Sequence, residues 1–98
     1  MSINNIGPEP LEIEVYILNH YASTGRMLSA TVHRTYDKAL ELAVVMANIF
    51  VPKLELNDDE RKQIRELASS PTTYGTFLVL YGEKTGEEFR ITEAMLEL

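Results

Sequence analysis

The sequence predicts an α+β two-layer sandwich: a four-stranded, mainly antiparallel sheet in the order ββααββ, with one main and one peripheral helix on one face. Three observations carry this. Residues 11–18, LEIEVYIL, alternate apolar and polar, which sets Leu11, Ile13, Val15 and Ile17 on one side of a strand. The stretch from Tyr36 to Phe50 repeats its apolar residues at helical spacing. Near the other end, TFLVLYG and EEFRIT flank Glu83-Lys84-Thr85-Gly86, which reads as a short hairpin turn closed by glycine.

The first strand ends near Leu18, and the chain turns through residues 19–25 to Gly25, where glycine supplies the positive φ a hairpin loop needs. Residues 27–34, MLSATVHR, make the second strand, with Leu28, Ala30 and Val32 opposed by Ser29, Thr31 and His33. This hairpin has an apolar and a polar side, as a sheet covered on one face requires.

Thr35 is placed to cap the main helix, and Asp37 in its first turn suits the helix dipole. The residue before Pro52 ends it. Its expected core face sets Leu40, Val44, Ala47 and Phe50 against Ile13, Val15, Phe89 and Ile91. A second helix starts at Asn57, where Asn57 and Glu60 have the spacing of a capping box. Its apolar seam, Ile64, Leu67 and Ala68, is narrow, so the helix is peripheral, and Ser69-Ser70-Pro71 stops it.

Tyr74 to Tyr81 is apolar on both sides, which predicts a third, interior strand. A fourth places Phe89 and Ile91 on one face, with Glu88, Arg90 and Thr92 on the other. The tail, Thr92 to Leu98, is rich in helix formers and is expected as a short helix.

Ninety-eight residues make one domain, expected over 11–98, with residues 1–10 (MSINNIGPEP) a flexible arm rich in proline and asparagine. The start lacks the basic-then-apolar pattern of a signal peptide, and no run reaches the ~18 apolar residues of a membrane span. The chain has no cysteine, which excludes disulfides, thiolate nucleophiles and cysteine-ligated metals and suits a reducing cytoplasm. Fifteen acidic against nine basic residues give a net charge of −6, which argues against a direct nucleic-acid binder and toward a basic partner.

Catalytic and cofactor motifs are missing. The two histidines, His20 and His33, have no matched carboxylate spacing, so no metal is expected. Asp58-Asp59-Glu60 is explained by the helix start it occupies and lacks the alternation and central glycine of a calcium loop. The five glycines form no phosphate cradle. Thr31 and His33 are two apart on a strand and share a face, but no third orienting group is legible beside them.

What remains is the sheet face left uncovered by the helix, expected to carry Glu12, Glu14, Tyr16, Leu18, Thr31, His33 and Arg90. Glu12, Glu14, Tyr16, Thr31, His33 and Arg90 are the candidate partner-binding residues, because carboxylates beside aromatic groups make a docking surface for a basic protein. The expected function is therefore a non-enzymatic, acidic protein-binding module. One form of it is a stoichiometric inhibitor of a nucleic-acid-handling enzyme, presenting carboxylates where that enzyme expects phosphates. Small immunity proteins and phage-encoded anti-defence proteins share this general character. Two rivals stand beside it: a self-associating scaffold or homodimer, pairing through the open sheet face or an edge strand, and a small oligomeric enzyme with a site near Thr31 and His33.

Overall fold

The structure, a computed structural model, describes residues 11–97; the N-terminal arm expected at 1–10 and the terminal Leu98 lie outside them. Two strands, β1 (Glu12–Tyr21) and β2 (Met27–His33), lead into three helices: α1 (Tyr36–Phe50), α2 (Asp58–Leu67) and α3 (Tyr74–Thr85). Strand β3 (Glu88–Glu97) then returns to the sheet. The sheet has three antiparallel strands in the order β2-β1-β3, so the ten-residue β1 is central. The α+β class holds, but with three strands in place of four.

The β1–β2 turn has Gly25 at φ 88°, and Ala22 and Gly25 close it through a backbone bond of 2.8 Å. Pairing runs from Tyr16 opposite His33 to Tyr21 opposite Met27, with an irregularity between His20 and Tyr21. Because β2 stops opposite Tyr16, residues 12–15 pair with β3 alone, and the sheet continues there as a two-stranded ribbon.

Two expected elements change identity. The segment expected as the third strand is helix α3, with Phe77 and Tyr81 fully buried four residues apart and Val79 exposed. A short apolar run fits either period. Here Tyr74, Phe77, Leu78 and Tyr81 form a helical stripe against the core, and Gly86 ends the helix in the left-handed region at φ 77°. The glycine that reads as a hairpin turn is thus a helix C-cap. The expected tail helix is instead the second half of β3: Thr92–Glu97 pairs residue for residue with Glu12–Ile17. Paired backbone along β1 overrides the modest intrinsic preference of Glu, Ala, Met and Leu for helix.

Both expected caps form. Thr35 Oγ1 accepts from the Lys38 amide at 3.1 Å. Asn57 Oδ1 accepts from the Glu60 amide at 2.8 Å, while Glu60 Oε1 accepts from the Asn57 amide at 3.1 Å, completing the capping box. Lys84 of α3 also donates to Glu60, and together with the Asn57 amide this holds the Glu60 carboxyl below its ordinary range.

The largest correction concerns which side of the sheet the helices cover. Buried Leu18 packs with Ala39 and Ala43 of α1, and Tyr16, Phe89 and Ile91 close around them. Paired residues in an antiparallel sheet share a face, so Tyr16, Leu18, Thr31, His33, Phe89 and Ile91 all lie on the helix side. Ile13, Val15 and Ile17, expected against the helix, are on the other side with Ala30, Val32, Ala94 and Leu96. Val15 is buried yet belongs to neither helix-side cluster. On α1 the contact face is correspondingly rotated. Ala39, Ala43 and Ala47, four residues apart, are fully buried and let the helix approach closely, whereas Phe50 is exposed and Leu40 half-buried. Val44 and Ala47 are core as expected and join Val51, Ile64, Phe77 and Tyr81 in a second cluster. Leu78 and Phe89 border both clusters and tie the helical layer to the sheet.

Candidate protein-binding face

The β1–β3 ribbon brings four carboxylates to one face. Glu12 lies opposite Glu97, Glu14 opposite Met95, and Tyr16 opposite Glu93. In strand geometry these pairs all project to the same side, the side that carries the helices further along. All four acids are exposed, as is Met95. None of the four is ion-paired among the described residues, where the salt bridges join His20–Glu87, Lys38–Glu41, Lys84–Glu60 and Arg90–Glu88.

The carboxylates are close enough to perturb one another. A hydrogen bond with Glu14, followed by the repulsion of its charge, raises the Glu93 carboxyl above the ordinary carboxylate range. The Tyr16 hydroxyl donates to Glu14 Oε1 at 3.1 Å, and that bond is the main reason the phenol loses its proton less readily. Tyr16 also meets Tyr36, at the start of α1, edge to face at 6.1 Å between centroids. The patch is thus a field of crowded negative charge bordered by two aromatic rings and a methionine.

Five of the six candidate residues fall on this side. Glu12, Glu14 and Tyr16 sit on the ribbon, and His33 stands opposite Tyr16 at its root. Thr31 follows one step further along β2, with its Oγ1 2.7 Å from His33 Nε2. The sixth, Arg90, is on the reverse face. It pairs with Asn19, donates to both Glu88 oxygens and rests over the Tyr21 ring at 5.1 Å. Glu93 and Glu97 join the five on the ribbon side although the composition of the tail favours helix. A signal for them is present in the alternation of Glu93, Met95 and Glu97 with Ala94 and Leu96, which is strand-like.

A second polar cluster lies at the far end of β1. His20 is buried and stacks on Phe89, its cross-strand partner, with rings 4.2 Å apart and 8° from parallel. His20 Nε2 is 2.8 Å from Glu87 Oε1, which also accepts from the Tyr81 hydroxyl at 3.2 Å. Burial, reinforced by the Glu87 charge, pushes the Tyr81 phenol up to about 12. These three groups satisfy one another and fasten the α3–β3 link to the hairpin. The register sets His20 opposite Ser29 and His33 opposite Tyr16, about 13 Å apart along the strand, too far to share a ligand. Among the described residues no group of three or more His, Cys, Asp or Glu could hold a metal ion.

No family model, curated protein or solved structure matches this chain.

Proposed function

We propose that the chain is a non-enzymatic protein-binding module that receives a basic segment of its partner on the acidic ribbon. The observation that supports this is the convergence of Glu12, Glu14, Glu93 and Glu97 on one exposed face without an ion-pair partner among the described residues. Crowded like charges stay solvated at a cost in mutual repulsion, and a cation brought among them relieves it. Lysine or arginine side chains would also find the faces of Tyr16 and Tyr36 at the border of the patch. A nucleic-acid-handling enzyme is the partner class with the matching surface, since its phosphate-binding groove is already lined with such residues, and the ribbon would occupy that groove as a stoichiometric inhibitor. No described helix is long and apolar enough to cross a membrane, and a chain without cysteine suits the reducing cytoplasm in which such enzymes work.

The test separates the patch from the overall charge. A fluorescent oligolysine peptide is titrated at several salt concentrations against the parent, Glu14→Lys/Glu93→Lys, and Glu41→Lys/Glu66→Lys. The two variants change net charge equally, but the second pair lies on α1 and α2. Loss of binding in the ribbon variant alone, with a flatter salt dependence, supports the reading. Equal losses in both variants would show that only net charge matters and would sink it.

A further inference from the structure

Strand β3 is the outermost strand of the sheet, since the order β2-β1-β3 leaves it paired with β1 alone. Among the described residues no strand pairs with its other side, where alternate residues turn their backbone N–H and C=O groups outward. The edge is ten residues long, roughly 33 Å. It is also regular, because the register with β1 runs unbroken from Glu88 to Glu97. Proteins commonly blunt such edges with proline, lysine or a bulge, and residues 91–97, ITEAMLE, hold none of these. Thr92, Glu93, Met95, Leu96 and Glu97 are all exposed.

We infer that the partner's basic segment binds as an added strand along residues 91–97 of β3, an inference that rests on the proposed function and specifies how the segment is held. Charge selects the occupant. On the helix side this edge presents Glu93, Met95 and Glu97, with Glu14 and Glu12 one strand further in; on the other side it presents Ala94 and Leu96. A strand laid beside it therefore meets carboxylates on one face and apolar groups on the other. The matching sequence alternates lysine or arginine with valine or another β-branched residue. Opposite Met95, a lysine stem covers the methionine and carries its ammonium toward Glu14, the residue beside Met95 on β1. A second copy of this chain fits worse. Paired antiparallel about Met95, it sets Glu93 against Glu97, and like charges directly opposite destabilise a sheet. The ribbon's other edge, residues 12–15 of β1, is shorter, and Val15 there is already buried. Backbone pairing along β3 then supplies affinity, and the alternating side chains supply specificity.

The test uses the whole, unaltered chain and a fluorescent heptapeptide, Thr-Lys-Val-Lys-Val-Lys-Thr, with two backbone-methylated isomers. One isomer is N-methylated at two lysines, the other at both valines, so charge and composition are the same. In an added strand only one alternate set of peptide amides faces β3. The expected result is that one isomer binds at least about tenfold more weakly than the unmethylated peptide while the other stays close to it. Amide exchange followed by NMR should slow on binding at alternate positions within residues 91–97. Isomers that bind alike, whether both are retained or both lost, overturn the inference. So does protection that fails to appear there or appears at residues 12–15 instead. Oligolysine keeps the two readings apart. If the ribbon acids govern oligolysine binding while the isomers bind alike, the acidic face stands as a charged field and strand addition falls. If neither oligolysine nor the heptapeptide binds, the proposed function falls with it.

Discussion

On the helix side of the sheet, β2 sets Ser29, Thr31 and His33; on the outer side it sets Leu28, Ala30 and Val32. The polar row is half-buried and the apolar row exposed, the reverse of what a self-sufficient two-layer domain would do. Strand β1 explains how this is tolerated. Its helix-side row contains Leu18 and His20, both buried, and Leu18 supplies the apolar contact that α1 needs while His20 is paired and stacked. Its outer row, Ile13, Val15 and Ile17, is more uniformly apolar. Alternation thus states that the two faces differ without stating which one the chain's own helices will cover. On the outer face Val15 is nevertheless buried, and the exposure is concentrated in Leu28 and Val32 of β2 and Leu96 of β3.

The sharpest way to break this comparison is to truncate one residue on each face. Leu18→Ala opens a cavity between β1 and the alanine face of α1 and should cost about 2–5 kcal/mol in urea unfolding. Val32→Ala, at an exposed position of the outer face, should stay within about 0.5 kcal/mol. Equal losses at the two sites would mean that Val32 is packed as tightly as Leu18.

A smaller effect probes how the helical layer is joined to the hairpin. Gly86 sits at φ 77°, and a Cβ there would meet Ser23 Cβ at 2.9 Å. Gly86→Ala combines left-handed strain of about 1–2 kcal/mol with that close contact. Melting should fall clearly, and hydrogen exchange should speed up first around residues 22–26 and 86–88. An unchanged melting curve would show that the α3 cap does not hold the hairpin in place.

The smallest effect belongs to the acidic ribbon. The Glu93 carboxyl is raised in the folded state, so folding takes up protons there, and this contribution to stability declines as pH rises through the folded value. Glu93→Gln should therefore raise the melting temperature slightly at neutral pH, and the gain should vanish once pH falls below the ordinary carboxylate range. A variant no more stable than the parent at neutral pH would mean that Glu14 and Glu93 do not repel each other across the ribbon.

Much of the local structure was legible because it depends on neighbours in sequence. Thr35, the Asn57–Glu60 box, the Gly25 turn and the helical period of residues 36–50 each carry their own signal within a few positions. The acidic character of Glu12 and Glu14 and the shared face of Thr31 and His33 follow from strand alternation in the same way. Three things were decided only by tertiary structure. An eight-residue apolar run fits strand and helix periods alike, and the choice of helix for Tyr74–Tyr81 came from docking Phe77 and Tyr81 into the cluster around Val44 and Ile64. The tail, helical by composition, became a strand because β1 offered it an unpaired edge, and that pairing brought Glu93 and Glu97 to the patch. The side on which α1 settled was fixed by where Leu18, Phe89 and Ile91 could meet Ala39 and Ala43. That contact joins residues more than twenty positions apart, and a pattern of period two carries no information about it.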